Sequence, residues 1–193
     1  KAAVKDVATA VYARKEDGRP AYDRVLVVGH SLGSVVSYDT LNALLAEDDL
    51  AERGEHAKGS LRVAQRTKLF LTFGSPLDKI AFVFATQSRR TSEAREALAA
   101  LVQPMIQAYD ETSTDEGRGK GYRTAIPWVN VHAPSDIVSG PLDLYDDPAR
   151  AGGGRVVNDV DRAAVTPLAS HNEYWKNERV WEVVRAHLPP QTS

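Results

Sequence analysis

Cysteine is absent from the 193 residues, which excludes disulfides, thiolate catalysis and cysteine-based zinc sites. A chain without cross-links suits the cytoplasm and equally an exported protein that needs none. No apolar run approaches the ~20 residues that span a bilayer. No stretch combines the charged start, apolar middle and small-residue cleavage site of a signal peptide. Neither charge is in large excess: 24 Lys and Arg stand against 26 Asp and Glu, a net charge of −2. No basic field therefore invites nucleic acid. The five histidines lack partners at metal-ligand spacing, so no metal is expected, and no cofactor is called for. Methionine occurs once, and the chain opens on Lys1 within a helical pattern. It reads as a piece of a longer protein, which leaves room for targeting signals outside it and the compartment open.

What is present is enough for one domain over 1–193, with 42% hydrophobic and 26% charged residues, ordinary values for a globular fold. Lys1 to about Lys15 reads as a helix with Ala3, Val4, Val7, Val11 and Tyr12 on one face. Asp17-Gly18-Arg19-Pro20 is a turn signal. Arg24 to Val28 is short, β-branched and apolar on both faces, the pattern of a central parallel strand. After Gly29 to Gly33 a helix is expected from about Ser34 to Ala46, then a polar loop from Glu47 to Gly59. Lys68 to Phe73 and Trp128 to His132 read as further buried strands, and Arg155 to Val157 as a short last one. Ser92 to about Tyr109 has a helical stripe that Pro104 interrupts, and Asp115 to Gly121 reads as a polar loop. A closing amphipathic helix is expected over Asn172 to Leu188, through Trp175, Val180, Trp181, Val184 and Leu188, stopped by Pro189-Pro190. Alternating strands and helices predict an α/β fold, a mostly parallel sheet flanked by helices.

Gly29-His30-Ser31-Leu32-Gly33 is the most informative segment. Residue usage predicts about 0.06 chance matches to G-x-S-x-G in a chain this long. Here it also follows an apolar strand and opens a helix, the context that its chemistry requires. A serine hydroxyl is a poor nucleophile without a base and without donors where charge develops. The turn lifts the Ser31 hydroxyl clear of the sheet, and Gly29 and Gly33 leave room where strand and helix pass closely. The Leu32 N–H then points toward a developing oxyanion, aided by the positive end of the helix. The plainer alternative makes Ser31 a helix N-cap.

These residues resemble the α/β-hydrolase superfamily and, within it, the class 3 (fungal-type) lipases. Three further segments are similar in order: Leu71-Thr72-Phe73-Gly74-Ser75-Pro76; Val129-Asn130-Val131-His132 through Ser135-Asp136-Ile137-Val138 to Pro141-Leu142; and His171-Asn172-Glu173-Tyr174-Trp175. The resemblance implies Ser31 as nucleophile, Asp136 as acid and His171 as base, a chain order that the fold imposes. It also implies earlier strands and a second oxyanion donor, for which this chain has no segment. The missing N-terminal part of the protein is expected to complete the site. Two departures from the family are Ser34, where a second glycine is usual, and a long insertion at about 78–122 that reads as a cap.

Asp78 also follows a strand end and is the alternative acid. Asp143, Asp146 and Asp147 read as a solvated loop. His171 is expected in a loop before the closing helix, with Ser170 and Glu173 forming a capping box. His30 is expected to pack beside the site, His132 in the core, His56 in a loop and His187 at a helix end. Leu142, Tyr145, Phe82, Phe84, Leu101 and Met105 are candidates for an acyl pocket or for core, with core favoured for Leu101. The expected activity is cleavage of carboxylic esters, of lipid or other acyl type, through an acyl-enzyme on Ser31. Alternatives are an acyltransferase or thioesterase with the same residues, or an inactive interaction domain that keeps the fold.

Overall fold

Residues 69 to 73 carry buried side chains on both faces of one strand, and that strand takes the interior of the sheet. The computed structural model describes residues 2–52, 54, 59–81, 126–145, 156–166 and 169–190. In chain order these form α1 (Ala2–Ala13), a small hairpin of β1 (Lys15–Glu16) and β2 (Arg19–Pro20), β3 (Val25–His30), α2 (Leu32–Glu52), α3 (Val63–Arg66) and β4 (Thr67–Phe73). There follow β5 (Trp128–His132), a 3-10 turn (Asp143–Tyr145), β6 (Val157–Val160), α4 (Ser170–Glu173) and α5 (Glu178–His187). Residues 77–81 are also helical. The expected helix at 92–109, the loop at 115–121, most of the 78–122 insertion, and His56, Phe82, Phe84, Leu101, Met105, Asp146 and Asp147 lie outside the described residues.

The sheet runs β3-β4-β5-β6, and every pair in it is parallel. Side chains alternate along β4. Phe70 points to one face and packs with Tyr12, Tyr38, Leu41, Leu44, Leu45, and Trp128. Leu69, Leu71 and Phe73 point to the other and pack with Val131, Tyr174, Val180 and Val183. Helices therefore cover both faces, as expected of an α/β chain. Leu142 and Tyr145 join the first cluster, so of the acyl-pocket candidates these two are core. His132 is half-buried at the end of β5, and burial lowers its pKa.

Several expectations are corrected. The strand before the Ser31 turn is not central among the described residues: β3 lies at the edge of the sheet, and Val28 is 42% exposed. An apolar run marks a strand that some partner covers, and it does not say which neighbour is present. The α1 stripe is not buried as a unit; Tyr12 is enclosed, while Val7 is 65% exposed. α2 extends to Glu52, six residues past the expected end, because no glycine or proline stops it before Gly54. Its last turns support the segment that follows. The Asp48 carboxylate accepts the N–H groups of Leu61, Arg62 and Val63, donors at the start of α3 that would otherwise be unpaired. Of the expected last strand, Arg155 lies outside the described residues; the strand takes in Val157 and runs on to Val160.

The closing helix is two pieces, α4 and α5, separated at residues 174–177. Val180 and Val183 of α5 are buried, whereas Trp175, Trp181 and Leu188 are exposed. His171 lies within α4 rather than in a loop ahead of it. The capping box does not form. Ala169 occupies the N-cap position with helical angles, so Ser170 is already inside the helix, where its hydroxyl cannot reach back to the first amides. Among the described residues, Ser170 Oγ and Glu173 Oε2 are enclosed without a hydrogen-bond partner.

Candidate active site

Parallel strands end at one rim. His30, Phe73 and His132 are the last residues of β3, β4 and β5, and the connections leaving this rim carry the candidate residues. Ser31 follows β3 directly, in the left-handed region at φ 54. A non-glycine residue there is strained. The strain is held by neighbours: the Ser31 N–H donates to Phe73 O at 3.1 Å, and the Ser34 N–H donates to Ser31 O at 3.0 Å.

Gly29 is required by contact. A Cβ on it would stand 2.6 Å from Ser34 Cα, closer than carbon atoms pack. Gly33 is different, since a Cβ there would meet nothing within 4 Å. The expectation that Gly33 relieves crowding is therefore corrected. Ser34 is fully buried; its hydroxyl donates to Ser31 O at 2.5 Å and lies 2.7 Å from Ser75 Oγ. It ties the turn to the end of β4. Leu32 begins α2 and its side chain is exposed. Its N–H belongs to the first turn, which has no carbonyl partner within the helix.

Asp136 lies in the turn after β5, where its N–H donates to Ala133 O at 3.0 Å. α4 brings His171 to the same rim. His171 Nε2 stands 2.8 Å from Ser31 Oγ, and His171 Nδ1 stands 3.0 Å from Asp136 Oδ2. A carboxylate only accepts, so Nδ1 carries the proton and Nε2 is left to accept from the serine hydroxyl. Burial pushes the Asp136 pKa up, but hydrogen bonds from His171, the Val138 N–H, Ser139 and Tyr174 outweigh it and hold the carboxyl at about 2. Asp136 is therefore a carboxylate throughout the physiological range. Ser31, His171 and Asp136 are thus brought together as one hydrogen-bonded series.

Asp78 is not part of that series. It sits in the helical stretch after β4 and accepts the Asp143 N–H at 3.1 Å. Among the described residues no cluster of His, Cys, Asp and Glu suits a metal ion.

Other polar residues at the rim were not singled out by their sequence. The Lys79 ammonium donates to the carbonyls of Ile137 and Ser139, clasping the Asp136 loop. Asn130 is buried in β5; it donates to Gly140 O and Asn158 Oδ1 and accepts from Thr72 Oγ1, each at 3.0 Å. Asn158 in turn accepts the Leu142 N–H. This network fixes the far end of the same loop. Tyr174, three residues after His171, donates to Asp136 Oδ2 at 2.9 Å. Its spacing on one helical turn from His171 was the available signal.

His30 does pack beside the site. Its ring stacks on Phe73 at 4.9 Å and meets Trp175 edge-on. Burial lowers its pKa, which favours the neutral ring. Its Nε2 lies 2.8 Å from the His171 carbonyl, which can only accept, so the proton is on Nε2. His30 thereby anchors the backbone of the residue whose ring faces Ser31.

No protein-family model matches the chain, and no curated protein and no solved structure matches it either.

Proposed function

We propose that the protein is a serine hydrolase that cleaves carboxylic esters, of lipid or other acyl type, through an acyl-enzyme on Ser31. The observation that carries this reading is the continuous series from Ser31 Oγ to His171 Nε2 at 2.8 Å and from His171 Nδ1 to Asp136 Oδ2 at 3.0 Å. These are the distances at which a base can take a hydroxyl proton. In this mechanism Ser31 Oγ bonds to the acyl carbon as its proton passes to His171 Nε2. Asp136 keeps the tautomer and stabilises the imidazolium. The Leu32 N–H holds the oxyanion. Collapse of the tetrahedral adduct expels the alcohol, which takes the proton from His171. Water then repeats the sequence on the acyl-enzyme and frees the acid.

Within this reading the chain is part of an α/β-hydrolase domain, similar to class 3 lipases. Among the described residues β3 pairs on one side only, with Val28 exposed beside it and Val4 and Val7 exposed on α1. An open apolar edge of this kind supports further strands that precede α1 and contribute the second oxyanion donor. Without them this chain should self-associate, and sedimentation as a stable monomer contradicts the idea.

A fluorophosphonate probe tests the activity. It should label the wild-type protein and spare Ser31→Ala. Intact full-length protein that resists the probe and leaves p-nitrophenyl esters uncleaved would make this an inactive relative.

A further inference from the structure

We propose that Tyr174 is a positioning residue for the acid of this site, holding the plane of the Asp136 carboxylate where one oxygen faces His171 Nδ1. The proposal rests on the hydrolase reading of Ser31, His171 and Asp136. A carboxylate on a short side chain can turn about its last bond; a half-turn only exchanges equivalent oxygens, whereas a partial turn carries the accepting oxygen away from the imidazole. Here both oxygens are claimed. Oδ1 accepts the Val138 N–H at 2.9 Å. Oδ2 accepts two donors, His171 Nδ1 at 3.0 Å and the Tyr174 hydroxyl at 2.9 Å.

The tyrosine oxygen is itself fixed. It accepts the Ala133 N–H at 2.8 Å and lies 2.9 Å from Ser139 Oγ. Its ring is 0% exposed and rests against Gly74, where a Cβ would come within 3.1 Å of Tyr174 Cε2. Gly74 is in the left-handed region at φ 58, so two separate constraints favour glycine there. Burial also drives the Tyr174 pKa upward, so the hydroxyl keeps its proton and remains a donor. His171 and Tyr174 flank a single helical turn, the first in α4 and the second at its C-cap. One short element therefore delivers the base and the group that orients the base's own acid. Displacement of this helix would move both together, keeping their relation to each other while changing both contacts with Asp136.

The test is Tyr174→Phe in the full-length protein, which keeps the ring and removes the hydroxyl. The expected result is a fall in kcat of about tenfold on a p-nitrophenyl ester, with KM within about twofold. The downfield NMR resonance of the His171 Nδ1 proton, which reports its bond to the carboxylate, should shift. An unchanged kcat together with an unmoved resonance in the folded variant overturns the proposal. Should Tyr174→Phe fail to fold, a ring-fluorinated tyrosine at position 174 supplies a stronger donor of nearly the same shape. The resonance must then move, and a fixed resonance again overturns the proposal. A wild-type protein without esterase activity whose resonance still responds to Tyr174→Phe would remove the hydrolase reading and support the positioning contact.

Discussion

His171 Nε2 lies 2.8 Å from Ser31 Oγ across 140 residues of chain. The contact depends on a backbone angle that Ser31 adopts at a cost. A positive φ in a residue with a Cβ is unfavourable by ~1–3 kcal/mol. Ser31→Gly removes that strain together with the hydroxyl. It should raise the free energy of unfolding by about 1 kcal/mol while abolishing ester hydrolysis. Urea denaturation beside an esterase assay measures both, and a Ser31→Gly protein less stable than wild type would contradict the strain.

The two carboxylates considered as the acid separate cleanly. Asp136 contacts His171, whereas Asp78 accepts a backbone N–H of Asp143. Asp136→Asn should lower kcat by about 10⁴, because the amide favours the wrong imidazole tautomer. Asp78→Asn keeps an acceptor for Asp143 and should leave kcat within about twofold. Steady-state kinetics decides, and the reverse order would reassign the acid.

The two glycines of the turn should differ in stability. A methyl on Gly29 would collide with the backbone of Ser34 at 2.6 Å. Backbone cannot move aside cheaply, so Gly29→Ala should destabilise by about 3 kcal/mol or more. Gly33 lies in α2 with open space where its Cβ would be. Gly33→Ala should be neutral or stabilising by up to ~1 kcal/mol, through helix propensity. Thermal and urea unfolding of the pair check the contrast.

Acid sensitivity should follow Asp136. Its carboxyl titrates at about 2 in the folded protein against an ordinary 3.8. The unfolded chain therefore binds the proton first. The stabilisation, of about 2 kcal/mol, is complete above pH ~4 and fades as pH falls toward 2. His30 adds to the same slope at higher pH. Burial lowers its pKa, so the unfolded chain again takes up the proton first, and stability declines as pH drops below ~6.5. Unfolding free energy measured from pH 7 to pH 2 should fall in both windows. Asp136→Asn should flatten the lower one, and His30→Gln should reduce the upper one, which His132 shares because burial lowers its pKa too.

Much of the fold was legible because each element carries its own pattern. The strands at Val25 to Val28, Lys68 to Phe73 and Trp128 to His132 announce themselves by apolar runs bounded by turn residues. The α/β order follows from their alternation with helical stretches. The edge position of β3 was not legible, since an apolar strand looks alike wherever it pairs. The end of α2 was missed for a related reason: polar residues such as Asp48 read as loop until their distant partners at Leu61 to Val63 are known. The split between α4 and α5 is likewise invisible in a stripe of apolar residues that spans both.

Local chemistry was written in the order of the amino acids: a glycine-flanked serine between strand and helix, an aspartate beyond a strand end, a histidine near the last helix, and their succession along the chain. These depend on residue type and short spacing. Three-dimensional packing was needed to establish that Asp136 rather than Asp78 meets His171, that Gly29 is crowded and Gly33 is not, and that Tyr174, Asn130 and Lys79 hold the Asp136 loop. Each of those relations is a distance of a few ångströms between residues remote in the chain. Such distances are set by the way a parallel sheet and its helices stack, which local sequence does not encode one residue at a time.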